Sequence, residues 1–149
     1  MPAYAETQAY EEMILDVEFT PGSGVYSPIC GLSEVTISRT ANVDEDEIPP
    51  CDDESLPMSV QVSVRSVTTT VSATGKWAKS SQGKLKNWLY GGQPLNIRLR
   101  DTAAAPGDVE IESGPAVITS LNNTRTKGVS VSAEMEFRFN GIPALTEAA

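Results

Sequence analysis

The sequence predicts a mainly β fold: two packed antiparallel sheets, as a sandwich or barrel, with one flanking α-helix and a long acidic loop. Three observations carry this expectation. Apolar residues recur with period two along most of the chain, which is the signature of half-buried strands. Turn chemistry separates the strands, at Pro21-Gly22-Ser23-Gly24, Ala105-Pro106-Gly107-Asp108 and Asn122-Asn123. A single stretch has helical spacing instead. With 149 residues, the chain is expected to be one domain, 1–149, large enough to bury a core.

The strand with the clearest pattern is Val129 to Phe139. Val129, Val131, Ala133, Met135, Phe137 and Phe139 share one phase, and Ser130, Ser132, Glu134, Glu136 and Arg138 share the other. A second long stretch, Met58 to Ala78, carries Val60, Val62 and Val64 in one phase and Val67, Val71, Ala73, Gly75 and Trp77 in the opposite one. The slip at Arg65 and Ser66 predicts a bulge or tight bend. Shorter alternating runs lie at Leu15–Phe19, Val35–Ile37, Leu95–Leu99 and Val109–Ile111, with a less regular apolar patch over Ala116–Leu121. Seven or eight strands with these separators argue for a sandwich or barrel. The helix is expected over 80–90. Ser80 or Ser81 would cap it, Gly91-Gly92 would end it, and Leu85, Trp88 and Leu89 form an i, i+3, i+4 stripe for packing on the sheet.

Residues 41–57 read as a long loop. Asp44, Glu45, Asp46, Glu47, Asp52, Asp53 and Glu54 occur there without a basic residue, and Pro49, Pro50 and Pro57 disfavour helix. A purely solvated loop has little use for Ile48, Cys51, Leu56 and Met58. An arm that docks on a neighbouring subunit is therefore the preferred reading. The acids do not follow the spacing of an EF-hand loop, so no calcium site is assigned.

Composition excludes several function classes. The chain has no histidine, and therefore lacks the usual general base and zinc ligand. There is no Gly-x-Ser-x-Gly elbow, phosphate-binding loop or dinucleotide fingerprint. No catalytic residue, cofactor site or metal site is expected, and an enzyme is the weakest class. A net charge of −9 disfavours gripping nucleic acid, since phosphate binding needs Lys and Arg. Basic residues gather at Lys76, Lys79, Lys84 and Lys86, and at Arg125 and Lys127. On an acidic chain such patches invite acidic partners, including other copies of itself. No apolar run reaches the roughly 18 residues of a membrane span, and the polar start lacks a basic secretory n-region, so synthesis in the cytoplasm is the expectation. There Cys30 and Cys51 would be free thiols, with a disulfide in an extracellular particle left open.

Several segments together resemble one family. They are Cys30-Gly31-Leu32 followed by the acidic Asp44 to Glu54 stretch, then Val71-Ser72-Ala73-Thr74-Gly75-Lys76-Trp77, then Arg125-Thr126-Lys127-Gly128 leading into Glu134-Met135-Glu136-Phe137-Arg138-Phe139-Asn140-Gly141. Their order and spacing, from Ile14 to Pro143, resemble the tail tube proteins (major tail proteins) of long-tailed, non-contractile bacteriophages and related tail-like particles. The resemblance implies two antiparallel sheets with a flanking helix, hexameric rings closed by strand contacts between subunits, and rings stacked around a tape-measure protein. It implies a location in the virion tail after assembly in the bacterial cytoplasm, with a tail terminator and baseplate or tip proteins as further partners and no membrane binding. DNA would pass the lumen without specific binding.

Residues 1–12 would be an N-terminal arm and 41–57 an inter-subunit loop. A lumen that repels phosphate needs inward acids, and the candidates are Glu134 and Glu136, Glu110 and Glu112, and Asp16 and Glu18. Two alternatives stand beside this reading. One is another tail component of the same fold, such as a terminator or a type VI secretion-like tube protein. The other is a β-sandwich binding or decoration module of a virion.

Overall fold

The computed structural model describes residues 4–5 and 7–148, without the side chain of Ser81. Residues 1–3 and 6 of the expected N-terminal arm lie outside the described residues. After a short 3-10 turn (Tyr10–Glu12), eight strands and one helix follow in order: β1 (Met13–Val17), β2 (Ser27–Pro28), β3 (Leu32–Ile48), β4 (Ser59–Lys76), α1 (Lys79–Gly91), β5 (Leu95–Asp101), β6 (Val109–Thr124), β7 (Ser132–Phe139) and β8 (Ala144–Glu147).

The strands form one antiparallel sheet in the order β2-β1-β5-β6-β7-β4-β3, with β8 also paired to β6. The expected two sheets are thus a single sheet bent back on itself. The long strand β6 makes this possible. Its first half pairs with β5 and β8, its second half with β7, and its register shifts between Ile118 and Ser120. The two runs at Val109–Ile111 and Ala116–Leu121 are therefore parts of one strand. Curling brings β1 and β3, near opposite ends of the sheet order, to face each other: Met13 and Leu15 share an open apolar cleft with Leu32 and Val35.

The core lies inside this curl. Leu15 and Val17 (β1), Ile97 and Leu99 (β5), Ala116 and Ile118 (β6), Met135, Phe137 and Phe139 (β7), and Val71 and Ala73 (β4) are buried there. Strand β7 shows the expected alternation in every residue, from Ala133 to Phe139. It starts later than expected, because Val129 belongs to the preceding turn, where its N–H donates to Thr126 O, and its side chain is exposed.

Helix α1 begins one residue before the expected 80–90 span and ends one after it. Its N-cap is Ala78, which has no side chain capable of capping, so neither Ser80 nor Ser81 fills that position. The start is set earlier by tertiary structure: Trp77 N–H donates to Val131 O at the mouth of β7, and the chain turns immediately afterwards. The C-terminal end follows the glycine rule. Gly92 is left-handed (φ 67°) and its N–H returns to Trp88 O. Leu85 and Trp88 are buried and Leu89 is partly buried. The Trp88 indole stacks on Phe137 at 5.1 Å between centroids and donates Nε1–H to Gln93 O at 2.8 Å. One aromatic pair thus fixes the helix to the middle of the sheet.

Candidate assembly surfaces

The first half of the acidic segment expected as a loop, residues 41–48, is strand. Asp44, Glu45, Asp46, Glu47 and Ile48 continue β3 and pair with Ser63 to Ser59 of β4, and residues 49–58, with Asp52, Asp53 and Glu54, form the connection. Seven acids in a short stretch read as loop because Asp and Glu are poor strand formers. For Asp44 to Glu47 an antiparallel partner supplies the hydrogen bonds, and solvent on both faces keeps the carboxylates hydrated. Past the body of the protein the two strands pair, among the described residues, only with each other: β7 pairs with Thr70–Lys76 of β4. The result is a two-stranded ribbon that protrudes from the curled sheet.

A bulge sets which side chains share a face of this ribbon. Asn42 pairs with Ser66 and Val43 with Val64, so Arg65 is the extra residue, at the place where the valine phase slips. By absorbing one residue, the bulge returns Val60, Val62 and Val64 to the face that carries Val67, Val71 and Ala73 in the body. The core face of the sheet therefore runs out onto the ribbon. Val60, Val62 and Val64 are 55%, 60% and 62% exposed, and Val43, Ile48, Leu56 and Met58 are exposed as well. Directly opposite Val60 and Val62 stand Glu47 and Glu45, whereas Asp44 and Asp46 lie on the other face with Ser63 and Gln61. At the connection, Asp53 accepts hydrogen bonds from Ser55 N–H (3.0 Å) and Ser55 Oγ (2.6 Å), which lower its pKa below the ordinary carboxylate value. Asp52, Glu54 and Cys51 are exposed beside it. Cys30 lies before β3 and Cys51 beyond its far end, both as free thiols.

The second surface is the outer face of the β3-β4-β7-β6 half. Registered rows cross it: Glu34, Thr74, Glu134 and Asn122; then Thr36, Ser72, Glu136 and Ser120; then Ser38, Thr70, Arg138 and Val117. Glu34, Glu134, Glu136 and Arg138 are exposed. It is a short-chain polar face with three carboxylates and one guanidinium. Glu34 is not among the expected acids. It alternates visibly with Val35 and Ile37, but its place in one row with Glu134 depends on a β4 partner that sequence alone does not name.

Of the other expected lumen acids, Asp16, Glu18 and Glu112 are buried in the protein. Asp16 is 1% exposed, with Oδ2 3.1 Å from Arg98 Nε and 2.8 Å from Arg100 Nε. The Arg100 contact is an ion pair without a well-aligned hydrogen bond. The Arg98 guanidinium lies over the Tyr26 ring at 4.2 Å. Glu18 accepts from Gly22 N–H (3.1 Å) and Gly24 N–H (3.2 Å) and closes the turn after β1. Glu112 is buried and accepts a fork of hydrogen bonds from Arg39. Glu110 is half-buried. Asp16, Glu18 and Glu112 depart from the expected wet face for two physical reasons. The return segment carrying Tyr26 covers the outer face of β1 and β5, and the curl brings the arginine of β3 over Glu112.

Among the described residues no three His, Cys, Asp or Glu side chains are grouped to hold a metal ion, and no helix is long and apolar enough to cross a membrane.

Among the described residues the sheet leaves part of its core face uncovered along the ribbon and the outer edges of β3 and β4 unpaired, which are features of surfaces on which chains add to one another. The family described as phage tail tube protein matches residues 7–144, and the chain belongs to it; its role is structural, in the virion tail. A search of curated proteins finds no match. Solved structures with the same fold include the tail of an empty gene transfer agent particle, refined with C6 symmetry (TM-score 0.74, 18% identity, covering 96% of this chain and 100% of that one). A second is the virion of a native gene transfer agent (TM-score 0.70, 14% identity, 94% and 99% covered). A third is the SPP1 tail tube (TM-score 0.67, 11% identity, 95% and 81% covered).

Proposed function

We infer that this chain builds the tail tube as stacked rings of six copies, which conduct DNA to the host. The observation that carries the reading is the core face of the sheet continuing, uncovered, along Val60, Val62 and Val64. Such a stripe is costly in a monomer and is accounted for when a neighbour buries it. The unpaired edges of β3 and of the outer β4 offer strand addition between subunits, which would close the ring and remove the edges. The C6 symmetry of the similar gene transfer agent tail supports six copies.

In this reading the face bearing Glu34, Glu134 and Glu136 lines the lumen. Its carboxylates outnumber Arg138, and around a ring they would make a field that repels phosphate, so DNA slides without binding. The ribbon, from Asp44 through Leu56, is the inter-subunit arm. A tape-measure protein in the lumen, a tail terminator and baseplate or tip proteins complete the set of partners. The role calls on no catalytic group.

Negative-stain electron microscopy of the purified protein at rising concentration tests the reading. Hollow tubes or stacked rings are the expected result. Discrete monomers or dimers at every concentration would count against it and favour a β-sandwich binding module.

A further inference from the structure

Two clusters of opposite charge, without ion-pair partners among the described residues, lie at the two ends of the long β3-β4 hairpin. Of the 11 cations, Arg39, Arg65, Arg98 and Arg100 pair with carboxylates of the same chain. Among the described residues the remaining cations have no such partner. Most of them meet at one end of the sheet. Lys76 ends β4 and stands in register with Ser132, which is paired in turn with Thr124; Arg125 and Lys127 lie in the turn joining those last two residues. Lys79 opens α1 three residues after Lys76, and Lys86 on the same helix lies over the Trp77 ring at 6.0 Å. All five are exposed. The carboxylates nearest this end by register are Glu34 and Glu134, both in the row of Thr74.

The opposite end of the same hairpin carries Glu45, Asp46, Glu47, Asp52, Asp53 and Glu54, exposed and without an internal ion pair among the described residues. Strand β3 spans 17 residues, so the two ends are separated by about 55 Å at roughly 3.3 Å per residue. That far exceeds the Debye length of about 8 Å at physiological salt, so the ends do not neutralise each other within one chain.

We propose that tubes grow head to tail through an electrostatic joint, in which the acidic ribbon end of one subunit seats on the Lys76, Lys79, Arg125 and Lys127 end of a subunit in the next ring. The proposal rests on the stacked-ring reading and names the surface that the ribbon takes. The partner is a second copy of this chain, because the two surfaces are complementary in charge and lie at opposite ends of one elongated element. Complementarity of this kind fixes direction and register. It disfavours tip-to-tip and base-to-base contacts, so every ring would point the same way.

Charge reversal at either end, then at both, tests the joint. All the substituted residues are exposed, and unchanged thermal melting of each variant monomer verifies the fold. Asp52→Lys with Asp53→Lys and Glu54→Lys should leave rings and abolish tubes. Lys79→Glu with Arg125→Glu and Lys127→Glu should do the same. The chain carrying all six substitutions should form tubes again. Tubes at wild-type yield from either three-substitution variant would overturn the joint, as would loss of rings together with tubes, or a six-substitution chain that stays as rings. A wild-type chain forming neither rings nor tubes would remove the tube reading itself, and is distinguished by that control. As a second measurement, tubes of the Cys30→Ser variant can be treated with a short maleimide–succinimide linker. Cys51 should cross-link to Lys76, Lys79 or Lys127 of another copy, and cross-links confined to other lysines would overturn the assignment.

Discussion

Arg39 on β3 and Glu112 on β6 are joined across the curl of the sheet, although two strands lie between them in its hydrogen-bonding order. Arg39 Nη2 is 2.7 Å from Glu112 Oε1, and Nε lies 3.0 Å from both carboxylate oxygens. The hydrogen bond to Glu112 raises the pKa of Arg39 above its ordinary value. As far as its own titration goes, a guanidinium raised in this way contributes stability that is fully present below its unfolded pKa and lost as pH rises through its folded pKa. Between neutral pH and strongly alkaline solution its own titration should therefore not change stability. Replacement is a different matter. Arg39→Ala leaves a buried carboxylate without its donor, and the monomer should lose about 1–3 kcal/mol, measured by urea denaturation.

Gly75 is expected to be the least replaceable residue of the hairpin. A Cβ there would lie 2.6 Å from Leu32 Cα and closer still to Gly31 O, both backbone atoms. Gly75→Ala forces β3 and β4 apart where the hairpin begins, and should cost about 3 kcal/mol or more. Gly83 in α1 is the matched control, because a Cβ added there would have nothing within 4 Å. Gly83→Ala should stabilise by about 1 kcal/mol. Thermal melts followed by circular dichroism compare the two directly.

Trp88→Ala should destabilise the monomer by about 3–5 kcal/mol. It removes a large buried ring, its stack on Phe137 and the hydrogen bond to Gln93 O. Trp88→Phe should recover part of that loss, since it restores the stack without the donor. Chemical denaturation of both variants measures the difference.

Val62→Ser should separate folding from assembly. The side chain is 60% exposed, so monomer stability should change by no more than about 0.5 kcal/mol. Tube formation at a given concentration should fall. Equal assembly of variant and wild type, followed by light scattering, would mean that the stripe is not buried between subunits.

The fold is legible where packing and pattern agree. Ala133 to Phe139 alternate because one side of β7 faces the core, and the bulge at Arg65 is visible as a phase slip. The helix stripe of Leu85, Trp88 and Leu89 is equally local. What cannot be read depends on contacts between distant residues. Asp16, Glu18 and Glu112 occupy positions that alternation assigns to water, and only the covering segment and the curl make them interior. Asp44 to Glu47 carry the composition of a loop, and their strand pairing is specified by Val60 to Val64 across the turn. Of the expected lumen acids, Glu134 and Glu136 lie together on an exposed face, and Glu34 joins them through a partner strand.

The exposed valine stripe also bears on how a free subunit survives before it is used. A long bare hairpin edge is an aggregation hazard, because the ribbons of two copies can zip together. Glu45 and Glu47 stand directly opposite Val62 and Val60, so any such zipper would bring like charges from both copies into one dry seam. In the tube reading they would act as gatekeepers, keeping unused subunits apart while leaving the stripe free for a surface of opposite charge.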